Sequence, residues 1–156
     1  MPPRAPNRLV LVLCATAAVS VSGCGGGDSS TTSSSSGSDF ASQANEICVG
    51  VSTQSAALAS PTDELSSIAA YTKSTLAIIK PAVTEMHALT PPEGQKSEFH
   101  AYLTALDEEI QLEKGLYYAA NSGDAPGVNA LLKDIKATGA VQKAAALGLT
   151  ECAKGV

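Results

Sequence analysis

The chain of 156 residues has no Trp, two Phe and four Tyr. Two arginines are present, Arg4 and Arg8, and both lie in the first eight residues. With 15 Asp and Glu against 10 Lys and Arg, the formal charge is -5. A chain so poor in basic residues has no face that could neutralise phosphates, which argues against a nucleic-acid partner. No apolar run reaches the roughly 20 residues that a membrane-spanning helix needs. G-x-S-x-G and G-x-x-x-x-G-K-[ST] are both missing, and with them the usual nucleophile elbow and phosphate loop. Strands would show period-two alternation rich in Val, Ile, Tyr and Phe, and no segment has it. The length fits one domain.

Arg4 and Arg8 precede an apolar run, Leu9 to Val19. A basic start, a short apolar stretch and small residues after it describe a secretory signal peptide. Those small residues are Val21-Ser22-Gly23, followed by Cys24. They resemble a bacterial lipobox, whose peptide is cut just before a lipid-bearing cysteine, although Val21 stands where that pattern prefers Leu. The resemblance implies residues 1–23 as a lipoprotein signal peptide and Cys24 as the acylated residue (a diacylglyceryl thioether with palmitate-like chains). Two or more chains anchor stably without a transmembrane helix, since each buried methylene contributes about 0.8 kcal/mol. The expected location is the extracytoplasmic face of the cell membrane. Loss of both arginines leaves eight Lys against fifteen acids, a net -7, so anionic headgroups should repel the protein and the lipid alone should hold it.

Residues 25–38 are Gly, Ser, Thr and one Asp, the composition of a flexible coil. With Cys24 they form the expected tether, 24–38. The globular part is expected over 39–156. There, apolar residues recur at three and four, the period of a helix. A first helix is expected from Ser38 or Asp39, with Phe40, Ala44, Ile47, Val51 and Leu58 inward. A second is expected from Ser60-Pro61, with Pro81 kinking it rather than ending it. A third covers about 93–121, and a fourth is capped by Asp124, with Gly139 bending or splitting it and Gly148 ending it. Short connections between such helices imply antiparallel neighbours. The expected fold is therefore all-α, an up-and-down four-helix bundle that buries Ile47, Leu76, Ile79, Leu103, Leu106, Leu131 and Ile135 together.

Removal of Cys14 with the signal and acylation of Cys24 leave Cys48 and Cys152. In an oxidising compartment such a pair should be a disulfide tying the first helix to the C-terminus. A redox couple would use C-x-x-C, and a metal pair would need further close Cys or His; the sequence has neither.

Phe40-x-x-x-Ala44-Asn45-x-Ile47-Cys48, Leu89-x-Pro91-Pro92, Gly123-Asp124 and Gly148-Leu149-x-x-Cys152 resemble a group of small secreted and lipid-anchored actinobacterial proteins. The resemblance spans 39–156. It implies a helical domain with its first helix pinned to the C-terminus, and no binding residue carries over from it.

Little chemistry is written in the rest. His87 follows Glu85, and His100 follows Glu98, by two positions, a spacing that puts each pair on different helix faces. A bundle metal site needs Glu-x-x-His, so no metal or other cofactor is expected. Asp107, Glu108, Glu109 and Glu113 would circle a helix and are expected on a solvated face. No catalytic residue is assigned. The expected role is non-catalytic binding or interaction in the cell envelope by a monomeric domain. The partner would be an unknown envelope protein or, in the rival reading, a small apolar ligand held between helices beside Tyr71, Tyr102, Tyr117 and Tyr118.

Overall fold

The structure, a computed structural model, describes residues 35–155, with side chains from residue 37. The signal segment, Cys24 and the start of the tether lie outside the described residues. Five helices follow: α1 (Ser35–Ala56), α2 (Leu65–His87), α3 (Lys96–Ser122), α4 (Ala125–Ala137) and α5 (Ala140–Ala146). Two 3-10 turns, Glu93–Gln95 and Cys152–Lys154, precede α3 and close the chain. No strand occurs among the described residues. The fold is the expected all-α bundle, in which α3 packs against α2, α4 and α5, and α1 packs against α2.

Local chemistry sets the helix ends. Asp124 accepts a hydrogen bond on Oδ1 from the Gly127 backbone N–H at 3.0 Å and so caps α4, with Pro126 in the first turn. Gly148, at φ 73°, ends α5 in the left-handed region that glycine enters at least cost. There the Leu149 N–H donates to Ala144 O, the Gly148 N–H donates to Ala145 O, and Leu149 is fully buried. That is a Schellman ending with its hydrophobic contact. Gly139, at φ 71°, splits the expected fourth helix into α4 and α5. Pro81 lies inside α2, which continues through it to His87.

Three boundaries differ from expectation. α1 begins at Ser35, so the last residues of the Gly/Ser/Thr stretch are helical, and it ends at Ala56, which leaves Leu58 beyond it. α2 begins at Leu65 rather than at Ser60-Pro61. Side chains compete for the lead-in: Thr62 N–H donates to Ser67 Oγ at 3.0 Å, and Glu64 N–H donates to Thr62 Oγ1. Such local bonds offer the backbone an alternative to the helix. Before α3, Gln95 N–H donates to Pro92 O, which makes a 3-10 turn of 93–95.

The core also differs. Instead of one centre there are three clusters: Phe40, Met86, Phe99 and Leu149 in the first, Leu116 and Val128 in the second, and Leu76, Val83 and Ile110 in the third. Of the seven residues expected to be buried together, Leu76 alone counts among the buried residues. Ile47, Ile79, Leu103, Leu106, Leu131 and Ile135 pack on the clusters' margins. Four of those six (Ile47, Ile79, Leu106 and Ile135) face a cavity.

Cys48 and Cys152 form the expected disulfide, with Cα atoms 5.1 Å apart across a sequence separation of 104. It links α1 to the terminal 3-10 turn.

A candidate binding cavity between the helices

A cavity of about 480 Å³ lies between the helices, within the range of small-ligand sites, about 300–1,000 Å³. Every helix contributes to its lining: Val51 from α1, Val83 from α2, Leu106 from α3, Ile135 from α4 and Ala140 from α5. The Cys48–Cys152 bridge, Glu151 and Gly155 complete it. Composition accounts for the space. A bundle with two Phe and no Trp has few side chains large enough to fill the gap between helices, and Ala82, Val83 and Ala140 are among those that meet there. Close packing gives way where side-chain volume runs out.

Polar groups interrupt the apolar lining, mostly along α3. Tyr102, Leu106, Glu109 and Glu113 all face the cavity. Glu109 accepts a hydrogen bond on Oε1 from Thr138 Oγ1 at 2.6 Å. Lys143 Nζ donates to the Thr138 backbone oxygen at 2.7 Å, which brings one positive charge near. Burial still raises the Glu109 carboxyl above its ordinary value, against the lowering effects of Thr138 and Lys143. Glu113 has no hydrogen bond or ion pair among the described residues. Burial, and then the Glu109 charge, push it up to about 7. Tyr102 is 3% exposed, and burial followed by Glu109 pushes its phenol up to about 12, which keeps it neutral. Ser55 Oγ, on the α1 side, is buried without a partner.

The expectation that all four α3 acids are solvated is thus corrected for two of them. Asp107 and Glu108 are exposed, whereas Glu109 and Glu113 turn inward. The signal was in the spacing. Tyr102, Leu106, Glu109 and Glu113 fall at i, i+4, i+7 and i+11, as do Phe40, Ala44, Ile47 and Val51 on the buried stripe of α1. Of the tyrosines expected to line a groove, Tyr71 and Tyr102 do so, while Tyr117 packs against the second cluster and Tyr118 is exposed.

Neither histidine lines the cavity. His87 Nε2 lies 3.1 Å from both carboxylate oxygens of Asp107, an exposed pair between α2 and α3. Among the described residues no group of three or more His, Cys, Asp or Glu is placed to hold a metal ion, and no helix is long and apolar enough to cross a membrane.

No family model, curated protein or solved structure matches this chain. What the cavity can do rests on its own geometry.

Proposed function

We propose that this protein is a lipid-anchored module of the bacterial cell envelope that binds a small, largely apolar molecule between its helices and does not transform it. The cavity carries this reading. It is large enough for a small ligand, its lining is mostly apolar, and all five helices contribute to that lining. Polar groups in such a space fix a ligand's orientation, and Tyr102, Glu109 and Glu113 are spread along the α3 wall. The anchor rests on the order of basic start, short apolar run, Gly23-Cys24 and Gly/Ser/Thr tether. The kinship with small actinobacterial lipid-anchored proteins stays part of the proposal, on the motifs around Cys48 and Cys152.

Docking to another envelope protein has weaker support. Among the described residues, the large exposed apolar side chains, Val49, Tyr118, Leu132 and Val141, sit one on each of four helices. Apolar residues exposed singly are normal on protein surfaces.

Native mass spectrometry tests the binding role on the mature chain from Gly25, which retains every described residue, isolated from its host without denaturant. A small-molecule adduct is expected, and it should be absent from a Val83→Trp variant that fills the cavity. A parent chain without adduct that also fails to take up apolar probes would overturn the reading.

A further inference from the structure

The cavity is long and narrow. Its lining on α3 runs from Tyr102 to Glu113, a span of about 16 Å at 1.5 Å per residue. On α2 the lining runs from Tyr71 to Met86, which is longer still. A volume of about 480 Å³ spread over about 16 Å leaves a mean cross-section of about 30 Å². Carbon atoms in contact lie about 4 Å apart, so an extended alkyl chain, roughly 5 Å across, occupies about 20 Å². One such chain fits the section, and two side by side would need about 40 Å².

Packed side chains stop both ends. Phe99 stands just before Tyr102 on α3 and Leu116 just after Glu113, each 3% exposed. Phe99 shares the first cluster with Met86, and Leu116 shares the second with Ala69. α2 therefore runs past α3 in the opposite direction, and the two clusters close opposite ends. The rim is at the side, where Lys136 of α4 and Gln142 of α5 are exposed. A slot closed lengthwise limits the length of what it holds.

The two ends differ in chemistry. Tyr102, beside the first cluster, is 3% exposed, lines the cavity and has no hydrogen-bond partner among the described residues. Buried polar groups in native proteins are nearly always satisfied, which leaves this hydroxyl for the polar end of a ligand. A buried ion needs a counter-charge, and among the described residues the lining's one cation is the exposed Lys136. Glu109 is already engaged by Thr138. Glu113, three turns away at the other end, is raised to about 7, which lets its carboxyl take up a proton beside a neutral chain.

We infer that the cavity holds a single straight-chain lipid of about twelve carbons, laid along the helices with an uncharged oxygen at the Tyr102 hydroxyl. The length follows from C–C bonds of about 1.52 Å at tetrahedral angles, which advance roughly 1.25 Å per methylene. This inference rests on the binding role proposed above and adds the ligand's class and length.

Equilibrium dialysis of the mature chain from Gly25 against the straight-chain alcohols from hexan-1-ol to hexadecan-1-ol tests it. The helices, their caps and both ends of the bridge lie within the compact unit that this chain retains. Affinity is expected to rise about fourfold with each methylene, and to level off or fall beyond about twelve carbons. Cyclododecanol, which gathers the carbons of dodecan-1-ol into a ring too wide for the slot, should bind about tenfold or more weakly. Dodecanoate at neutral pH should bind more weakly than dodecan-1-ol. Tyr102→Phe should weaken dodecan-1-ol about threefold to tenfold and leave the gain per methylene unchanged. A gain that continues unbroken to hexadecan-1-ol, or equal affinity for the ring and the chain, overturns the single-chain slot while the cavity keeps its binding role. Tighter binding of dodecanoate, or a folded Tyr102→Phe variant of unchanged affinity, overturns the uncharged end at Tyr102. No binding of any probe overturns this inference and the binding role together.

Discussion

Asn45 Oδ1 accepts a hydrogen bond of 2.8 Å from the backbone N–H of Glu151, 106 positions further along the chain. Asn45 stands one turn before Cys48 on α1, and Glu151 immediately precedes Cys152. The bond and the disulfide together make a two-point clasp, and the segment they hold forms part of the cavity lining.

The clasp should be felt in stability, with its two parts unequal. A closed loop of this length corresponds to about 4.7 kcal/mol in the chain-entropy account, whereas a partly buried hydrogen bond contributes about 0.5–1.5 kcal/mol. Reduction should therefore lower the thermal midpoint much more than Asn45→Ala, which should cost a few degrees. Equal midpoints for oxidised and reduced protein in scanning calorimetry, or two titratable thiols in the folded oxidised chain, would contradict the clasp.

Glu113 predicts a pH dependence of unfavourable sign at neutral pH. Its folded value, about 7, lies above that of an unfolded glutamate, about 4.3. Between those values the folded state holds more protons than the unfolded state. The contribution is thus fully present below the lower value and is lost as pH rises through about 7. Glu109 is shifted in the same direction. Thermal midpoints of the ligand-free chain should fall from pH 5 to pH 8, and Glu113→Gln should flatten that slope by a few degrees. A parent whose midpoint rises over the interval would contradict the burial of these acids.

The first cluster should tolerate truncation poorly. Phe99 is 3% exposed, and its ring stands edge-on to Phe40 with centroids 4.9 Å apart. Phe99→Ala removes that contact and leaves a void, at about 3–5 kcal/mol. Glu108→Lys, on the solvated side of the same helix, should change stability by less than about 0.5 kcal/mol. Chemical denaturation measures both, and similar losses for the two would mean that α3 packs by another face.

The anchor gives a prediction outside the described residues. Cys24→Ala should release the protein from membranes or leave it as uncleaved precursor. A variant that still partitions as mature protein into the detergent phase would contradict acylation at this cysteine.

The sequence by itself determined the helices and much of their punctuation. Asp124, Gly139 and Gly148 act locally, through a cap bond or a left-handed backbone, so their effect follows from the nearest few residues. The cysteine pairing followed from counting and compartment. What tertiary structure decided was the meaning of each face. Helical spacing puts Tyr102, Leu106, Glu109 and Glu113 on one stripe, but not whether that stripe meets a neighbour, solvent or a void. That depends on the volume supplied by helices far away in the chain. Small side chains such as Ala82, Val83 and Ala140 leave the space open. For this reason residues expected at a single centre, Ile47, Ile79, Leu106 and Ile135, became the walls of a cavity. For the same reason two acids expected in water stand inside it, since burial is a property of the assembled helices rather than of any one of them.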